Sequence, residues 1–289
     1  SEHSFSKIPE TISVLGEFEQ GDLSQRLNTK VSNPALMQLS TVINGMGDVL
    51  EKNIENSELV IKSDKKALNE DLITELESEI SVAKDSIVIV PELPKKKIDI
   101  DNATKQLSPI KDYTSIINNL NAKTEDVLLS ISQLEQLTNP SEEFVISRLE
   151  PIEDIIEIKA VTEDNDPNGQ LNKAGGYTSA IFFASDKIDQ REVSGRDVID
   201  KGTVAGGSIE VYPTVDEAER RNMYLSAFDV GMLSPGSHST IGTLVIRTSY
   251  NLTATQQKEL EEKIINELIR LKNLKVTNKK EVNEFLISL

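Results

Sequence analysis

The residues of this chain that could do chemistry fall in three short runs of its second half. The first is Asp164-Asn165-Asp166-Pro167-Asn168-Gly169. Read as D-x-D-x-N-G, it matches the first half of a calcium loop, where oxygen ligands at alternate positions surround a hard cation and glycine permits the sharp turn. Asp164, Asp166 and Asn168 are the predicted metal ligands, followed by the Gln170 carbonyl and Asn172. The match stops at the twelfth position, where Gly175 stands in place of a bidentate glutamate, so Glu163 or Asp200 would have to complete the shell. Asp, Asn, Pro and Gly also build ordinary turns between strands. Calcium is the one cofactor the sequence suggests.

The second run is Ser234-Pro235-Gly236-Ser237-His238-Ser239, which holds the sole histidine beyond the N-terminus. A Ser-His-acid set can be drawn with Ser237 or Ser239 and Asp229. Neighbours so close in sequence rarely reach triad geometry, and no nucleophile elbow is present. The third group is basic: Arg220-Arg221 and Arg247 suit an anionic group, or simply pair with nearby carboxylates. His238, Arg247 and Tyr212 are the predicted ligand-binding residues, and no catalytic residue is predicted. Gly202-Thr203-Val204-Ala205-Gly206-Gly207 leads into a strand and lacks the G-K-[ST] of a phosphate cradle, so a nucleotide site is not expected. No pair of carboxylates stands out in the apolar setting that a glycosidase would need.

The elements that must position these residues follow from periodicity. Asn33-Pro34 is a helix start, and Leu36, Leu39, Ile43, Met46, Leu50 and Ile54 then form a heptad-like seam. A second helix is predicted over about Asp64–Ser86, with Leu68, Leu72, Leu76, Ile80, Ala83 and Ile87 on one side. After the breaker Val90-Pro91-Glu92-Leu93-Pro94, a third runs over roughly Asn102–Leu137 through Tyr113, Ile117, Leu120, Val127, Ile131 and Leu134. Thr124 is its one polar interruption, and the second and third helices read as an antiparallel hairpin.

From Asn139 the pattern becomes α-β-β-β-α-β-α. Asn139-Pro140 opens a short helix, with Glu142 placed for a capping box, and Asp154–Val161, Tyr177–Ala184, Gly207–Tyr212 and Thr240–Thr248 are candidate strands. Thr214 opens a helix to about Phe228, and Thr253 opens another that turns Leu260, Ile264, Leu268 and Leu271 inward. The predicted class is α+β: an N-terminal helical, coiled-coil stalk followed by a compact, mostly antiparallel α+β domain. The expected domains are 1–57, a helical segment; 58–138, an antiparallel helical hairpin; and 139–289, the α+β domain.

Composition narrows the function. The 289 residues carry a net charge of −17, which repels a phosphate backbone or an anionic membrane unless basic residues cluster on one face. The one tight cluster, Lys95-Lys96-Lys97, lies among prolines and acids, so no nucleic-acid partner is expected. With no cysteine, disulfides, thiolate zinc and cysteine nucleophiles are excluded. No apolar run approaches the roughly 18 residues that span a bilayer, and no signal peptide is read. A chain starting at Ser1 reads as a piece of a longer protein.

Two resemblances add to this. Residues 17–54, with Phe18-Glu19-Gln20-Gly21-Asp22-Leu23-Ser24-Gln25-Arg26-Leu27 and Asn33-Pro34-Ala35-Leu36, resemble the HAMP-type helical segment of bacterial chemoreceptors. That implies a parallel homodimer, here through residues 34–55, although the methyl-accepting hairpin that should follow is missing. Residues from about Lys62 to Leu271 resemble a domain of Gram-positive surface proteins and lipoproteins labelled EbhA-like. The stretches that carry it are 161–171, Gly206-Gly207-Ser208-Ile209-Glu210-Val211-Tyr212 and Gly236-Ser237-His238-Ser239-Thr240-Ile241-Gly242-Thr243. That domain brings no activity, only a place at the cell envelope. The two together read as a natural mosaic or an engineered fusion joined near Asn56. The expected function is a non-catalytic, envelope-exposed binding module whose partner is a protein or an envelope ligand. A signal-transduction fragment dimerising through its N-terminal helices and a hydrolase using His238 are the alternatives, and a cytoplasmic location is the alternative to the envelope.

Overall fold

The structure, a computed structural model, describes residues 34–86, 113–229 and 236–271, with side chains from Asp48 onward. The motif at 18–27, the proline segment at 90–94, Lys95–Lys97, Ser234-Pro235 and the tail from 272 lie outside these residues, as do the side chains of Leu36–Met46. The chain divides into two compact units, and the boundary falls after Ser130.

The first unit is helical. Helix α1 (Pro34–Lys62) is continuous for 29 residues, passing position 57 without a break. Its seam continues past Leu50 and Ile54 through Ser57 and Val60, all buried. Helix α2 (Asp71–Asp85) buries Leu76, Ile80 and Ala83. It starts later than the periodicity predicts. Asp64 has a φ of +56°, and the Leu68 and Asn69 amides donate to Ser130 O and Oγ at 3.1 and 2.8 Å. Those tertiary bonds hold 64–70 out of the helix, and Asn69 Oδ1 instead caps the Asp71 amide. Helix α3 (Thr114–Gln136) runs opposite to α2: Lys123 pairs with Glu75, and Ser130 meets Asn69. The polar interruption Thr124 is buried against Ser57 of α1. Their hydroxyls lie 2.8 Å apart, and each also reaches the carbonyl four residues back in its own helix. A buried hydroxyl pair satisfied in this way fixes the register of the seam it interrupts.

The second unit, whose described residues are 131–229 and 236–271, is built on a five-stranded sheet. Its strands are β1 (Ile155–Ala160), β2 (Ser179–Ser185), β3 (Gly206–Val211), β4 (His238–Ile241) and β5 (Leu244–Thr248). They lie in the order β1-β2-β3-β5-β4, and every neighbouring pair is antiparallel. Sequence reading gave Thr240–Thr248 as one strand; it is the β4–β5 hairpin. Gly242, at φ +56°, supplies the turn, and a Cβ there would lie 2.6 Å from Leu137 O. The same carbonyl accepts from the Thr243 amide at 3.0 Å, which ties the hairpin to the end of α3.

Helices cover both faces. Cross-strand alternation puts Ile181, Phe183, Ile209, Leu244 and Ile246 on one face, packed beneath α4 (Glu142–Leu149) and α7 (Ala254–Ile269). Ala180, Phe182, Ala184 and Val245 are on the other. They pack against Val198 and Ile199 of the single-turn helix α5 (Val198–Lys201) and Ala218 and Leu225 of α6 (Val215–Ser226). Helix α7 starts at Thr253 with a full capping box to Gln256. Helix α4 is capped by Ser141, which accepts from the Phe144 amide, rather than by Asn139, whose φ is +46°. Helices together with an antiparallel sheet make the class α+β.

Candidate functional site

The centre of the second face is polar. On β3, Ser208 and Glu210 share a side of the sheet, and Tyr212 continues it just past the strand. Glu210 is almost wholly buried, with 1% of its side chain exposed. Arg221 of α6 grips it side-on, Nε to Oε2 at 2.8 Å and Nη2 to Oε1 at 2.9 Å. Arg247 of β5 adds Nη1 to Oε1 at 3.2 Å, and the Tyr212 hydroxyl donates to Oε2 at 2.9 Å. Burial alone would raise the Glu210 pKa. The hydrogen bond and charge of Arg221, then the charge of Arg247 and the Tyr212 hydroxyl, outweigh it, and the carboxyl is held below the ordinary glutamate value. For Tyr212, burial and the Glu210 charge push the hydroxyl well above its usual value, so it remains a donor.

Two of the three predicted ligand-binding residues therefore meet on one buried carboxylate, and the third stands beside them. His238 of β4 is the register partner of Arg247. Its Nδ1 lies 2.6 Å from Asn222 Oδ1 of α6, and its Nε2 lies 3.1 and 3.2 Å from the two Asp229 oxygens. Both ring nitrogens face these groups. Ser237 donates instead to Glu261 Oε2 at 2.9 Å, and Ser239, one residue along the strand, projects to the opposite face as the partner of Ile246. The hydroxyls and the imidazole that a triad would require are therefore directed apart. Arg220 reaches only Glu217 on the helix surface, at 4.0 Å.

The Asp164–Gly169 run is a turn organised from within by Asp166. Its Oδ1 accepts from the Asn168 amide at 3.0 Å and from the Tyr177 hydroxyl; its Oδ2 accepts from the Gln170 and Leu171 amides at 2.6 and 2.8 Å. Each oxygen thus has two donors, which fills the acceptor capacity of a carboxylate. Burial opposes ionisation of Asp166, but these donors prevail and lower its pKa. Asn168 turns its amide to the Tyr177 hydroxyl at 3.3 Å, and Asn172 reaches Glu163 at 3.4 Å. Among the described residues, no group of three or more histidine or acidic side chains is gathered in metal-binding geometry. The Tyr177 and Tyr212 rings meet edge to face at 6.3 Å, which joins this turn to the Glu210 cluster.

Sequence reading missed Glu210, the group that the arginines serve. Its signal was available: an acid on the same parity as Ser208 and Tyr212, the one charged residue in a strand of glycine, serine and aliphatic residues.

Removing the Glu210 charge while keeping its shape leaves two arginines facing a neutral amide. Glu210→Gln is expected to cost about 3–5 kcal/mol in urea denaturation. Because the folded-state pKa of Glu210 lies below its unfolded value, its contribution is present above the unfolded pKa and is lost as pH falls through the folded one. The variant should accordingly show a shallower loss of stability with acid than the wild type. Asp166→Ala orphans three amides and a hydroxyl and should cost at least about 2 kcal/mol in protein stripped of metal by chelator. Equal stability of that variant and the wild type in chelator, with calcium stabilising only the wild type, would show the turn to be a metal loop.

No known protein family's profile matches this chain, and no solved structure matches it either.

Proposed function

We propose that this chain is a non-catalytic binding module of the cell envelope, carried on a helical stalk, which meets its partner through the outer side of α6. The observation that carries this reading is how α6 is held and what it displays. Its inner side is fixed by Ala218, Leu225 and the Arg221–Glu210 grip. Its outer side exposes Met223 at 64% and Tyr224 at 58%, with Phe228 just past its end at 38%. Tyr224 and Phe228 stack edge to face at 5.1 Å, and the Arg221 guanidinium lies 5.6 Å from the Tyr224 ring centre. Methionine, aromatic and arginine side chains on a rigid support are the groups that concentrate in protein interface cores. Asp216, Glu219 and Arg220 are exposed earlier on the same helix, so the apolar and aromatic groups are gathered at its C-terminal end.

The chemistry of the cluster beneath supports a binding role over a catalytic one. Glu210 is committed to Arg221, Arg247 and Tyr212, and Asp166 to Tyr177 and three backbone amides; the two carboxyls are held ionised and the Tyr212 hydroxyl protonated, whereas a general acid or base must exchange protons. The envelope location rests on the EbhA-like resemblance of three sequence stretches, which contain Asp166, Glu210 and His238 respectively.

Co-sedimentation with purified Gram-positive cell walls tests the reading. The wild-type chain is expected to pellet with the walls, and Met223→Ser/Tyr224→Ser to remain in the supernatant while still melting cooperatively, since both side chains are largely exposed. Failure of the wild type to pellet would overturn the envelope reading. Equal pelleting of the double variant would overturn the role of α6.

A further inference from the structure

Arg148 lies in the last turn of α4, on the sheet face opposite the Glu210 cluster, with none of its surface exposed. Arginine does not shed its proton in proteins, so a buried guanidinium must be compensated by acceptors or charge. Those of Arg148 are few. The group sits 4.9 Å from the Phe144 ring centre, and Nη2 donates to Gln136 Oε1 at 3.3 Å. Nε and Nη1 have no hydrogen-bond partner among the described residues. The other orphaned buried atoms among the described residues are hydroxyls of Ser179, Ser208, Ser239 and Thr248, neutral groups whose burial costs far less.

The surroundings deepen the deficit. The nearby charges are Glu267 and Arg270 at the end of α7, and Arg270 takes Glu267 Oε2 through Nε at 2.9 Å and Nη2 at 2.5 Å. Two guanidinium groups thus share one carboxylate, and the carboxylate is engaged by the other. The last carbonyls of α7, natural acceptors for a cation at a helix C-terminus, are met by neutral amides: Gln136 Nε2 reaches Leu268 O at 2.6 Å, and Gln133 Nε2 reaches Ile269 O at 3.3 Å. Burial first, then repulsion from Arg270, lowers the Arg148 pKa from the usual arginine value, with Glu267 opposing them. At the Glu210 cluster two arginines converge on a carboxylate they share; at Arg148 no described residue supplies such a carboxylate directly.

We propose that Arg148 is the core of a binding site for a small monovalent anion, a halide or the carboxylate of an organic acid, which accepts its Nε or Nη1 hydrogens between α4 and the ends of α3 and α7. One negative charge balances the two guanidinium groups and Glu267. Such an anion binds the folded unit alone and stabilises it in proportion to its occupancy.

The test compares melting temperatures of the whole chain in sodium fluoride, chloride and acetate at matched ionic strength, with ³⁵Cl line widths measured in parallel. Chloride or acetate should raise the melting temperature saturably above the fluoride value, and Arg148→Met should lose that ion-specific rise. The chloride signal should broaden with wild-type protein and narrow when acetate competes. An effect of chloride alone assigns the site to halide, and an effect of acetate alone assigns it to carboxylates. If Arg148→Met does not fold, the wild-type line widths and anion series decide by themselves. Identical melting curves in the three salts, with no broadening, overturn the proposal and leave the two nitrogens to water.

Discussion

A carboxylate in the middle of a sheet face stays ionised only if the groups around it return what burial removes. Glu210 meets that condition with Arg221, Arg247 and Tyr212, which come from three different elements. Each contact also fixes geometry: Arg221 sets α6 on the sheet, Arg247 sets β5 against β3, and Tyr212 sets the chain that leaves β3. Ions of this kind contribute little net stability compared with well-packed apolar residues, but they are intolerant of losing one partner. What they provide is a single arrangement. The α6 surface and the His238–Asn222–Asp229 contacts follow from it, because Arg221 and Asn222 are consecutive on α6 and Arg247 faces His238 across β4 and β5.

Backbone geometry serves the same arrangement. Gly207, between the helix-facing residues of β3, permits a close approach that no side chain would: a Cβ there would lie 2.2 Å from Arg247 O and 2.4 Å from the Phe183 ring. That approach brings Arg247 into register with Ser208, two residues before Glu210 and on the same face of β3. The Asp166 turn joins through Tyr177, whose ring packs on Tyr212 and whose hydroxyl is pushed toward its protonated form by burial and by Asp166. Asp166, Glu210 and His238, from three separate stretches of sequence, thus converge on one polar layer of the second unit.

Much of this was legible in the residues. Thr253 marked the start of α7, the helical spacing of Leu260, Ile264 and Leu268 named its inner face, and Tyr212, Arg247 and His238 were singled out by type alone. What local pattern could not convey were the effects of distant partners. Asp64–Glu70 has helical spacing but gives its amides to Ser130, sixty residues away. The β4–β5 hairpin hides inside nine residues of continuous strand propensity, because its turn depends on Gly242 meeting Leu137. Glu210 went unremarked for the same reason: an acid in an apolar strand is informative only once the arginines that face it are known. For the Asp164–Gly169 run, turn chemistry and metal-ligand chemistry use the same residue types, and only the donors around Asp166 distinguish them.

The most direct measurement of whether the Glu210 cluster holds α6 in place is native-state amide hydrogen exchange across the second unit, comparing wild type with Arg221→Gln. This substitution leaves Glu210 with Arg247 and Tyr212, so the sheet retains its partners. The account predicts that amides of Val215–Ser226 lose protection by about tenfold or more while those of β2, β5 and α7 keep theirs. Unchanged protection in α6, or a uniform loss across the whole unit, would contradict it.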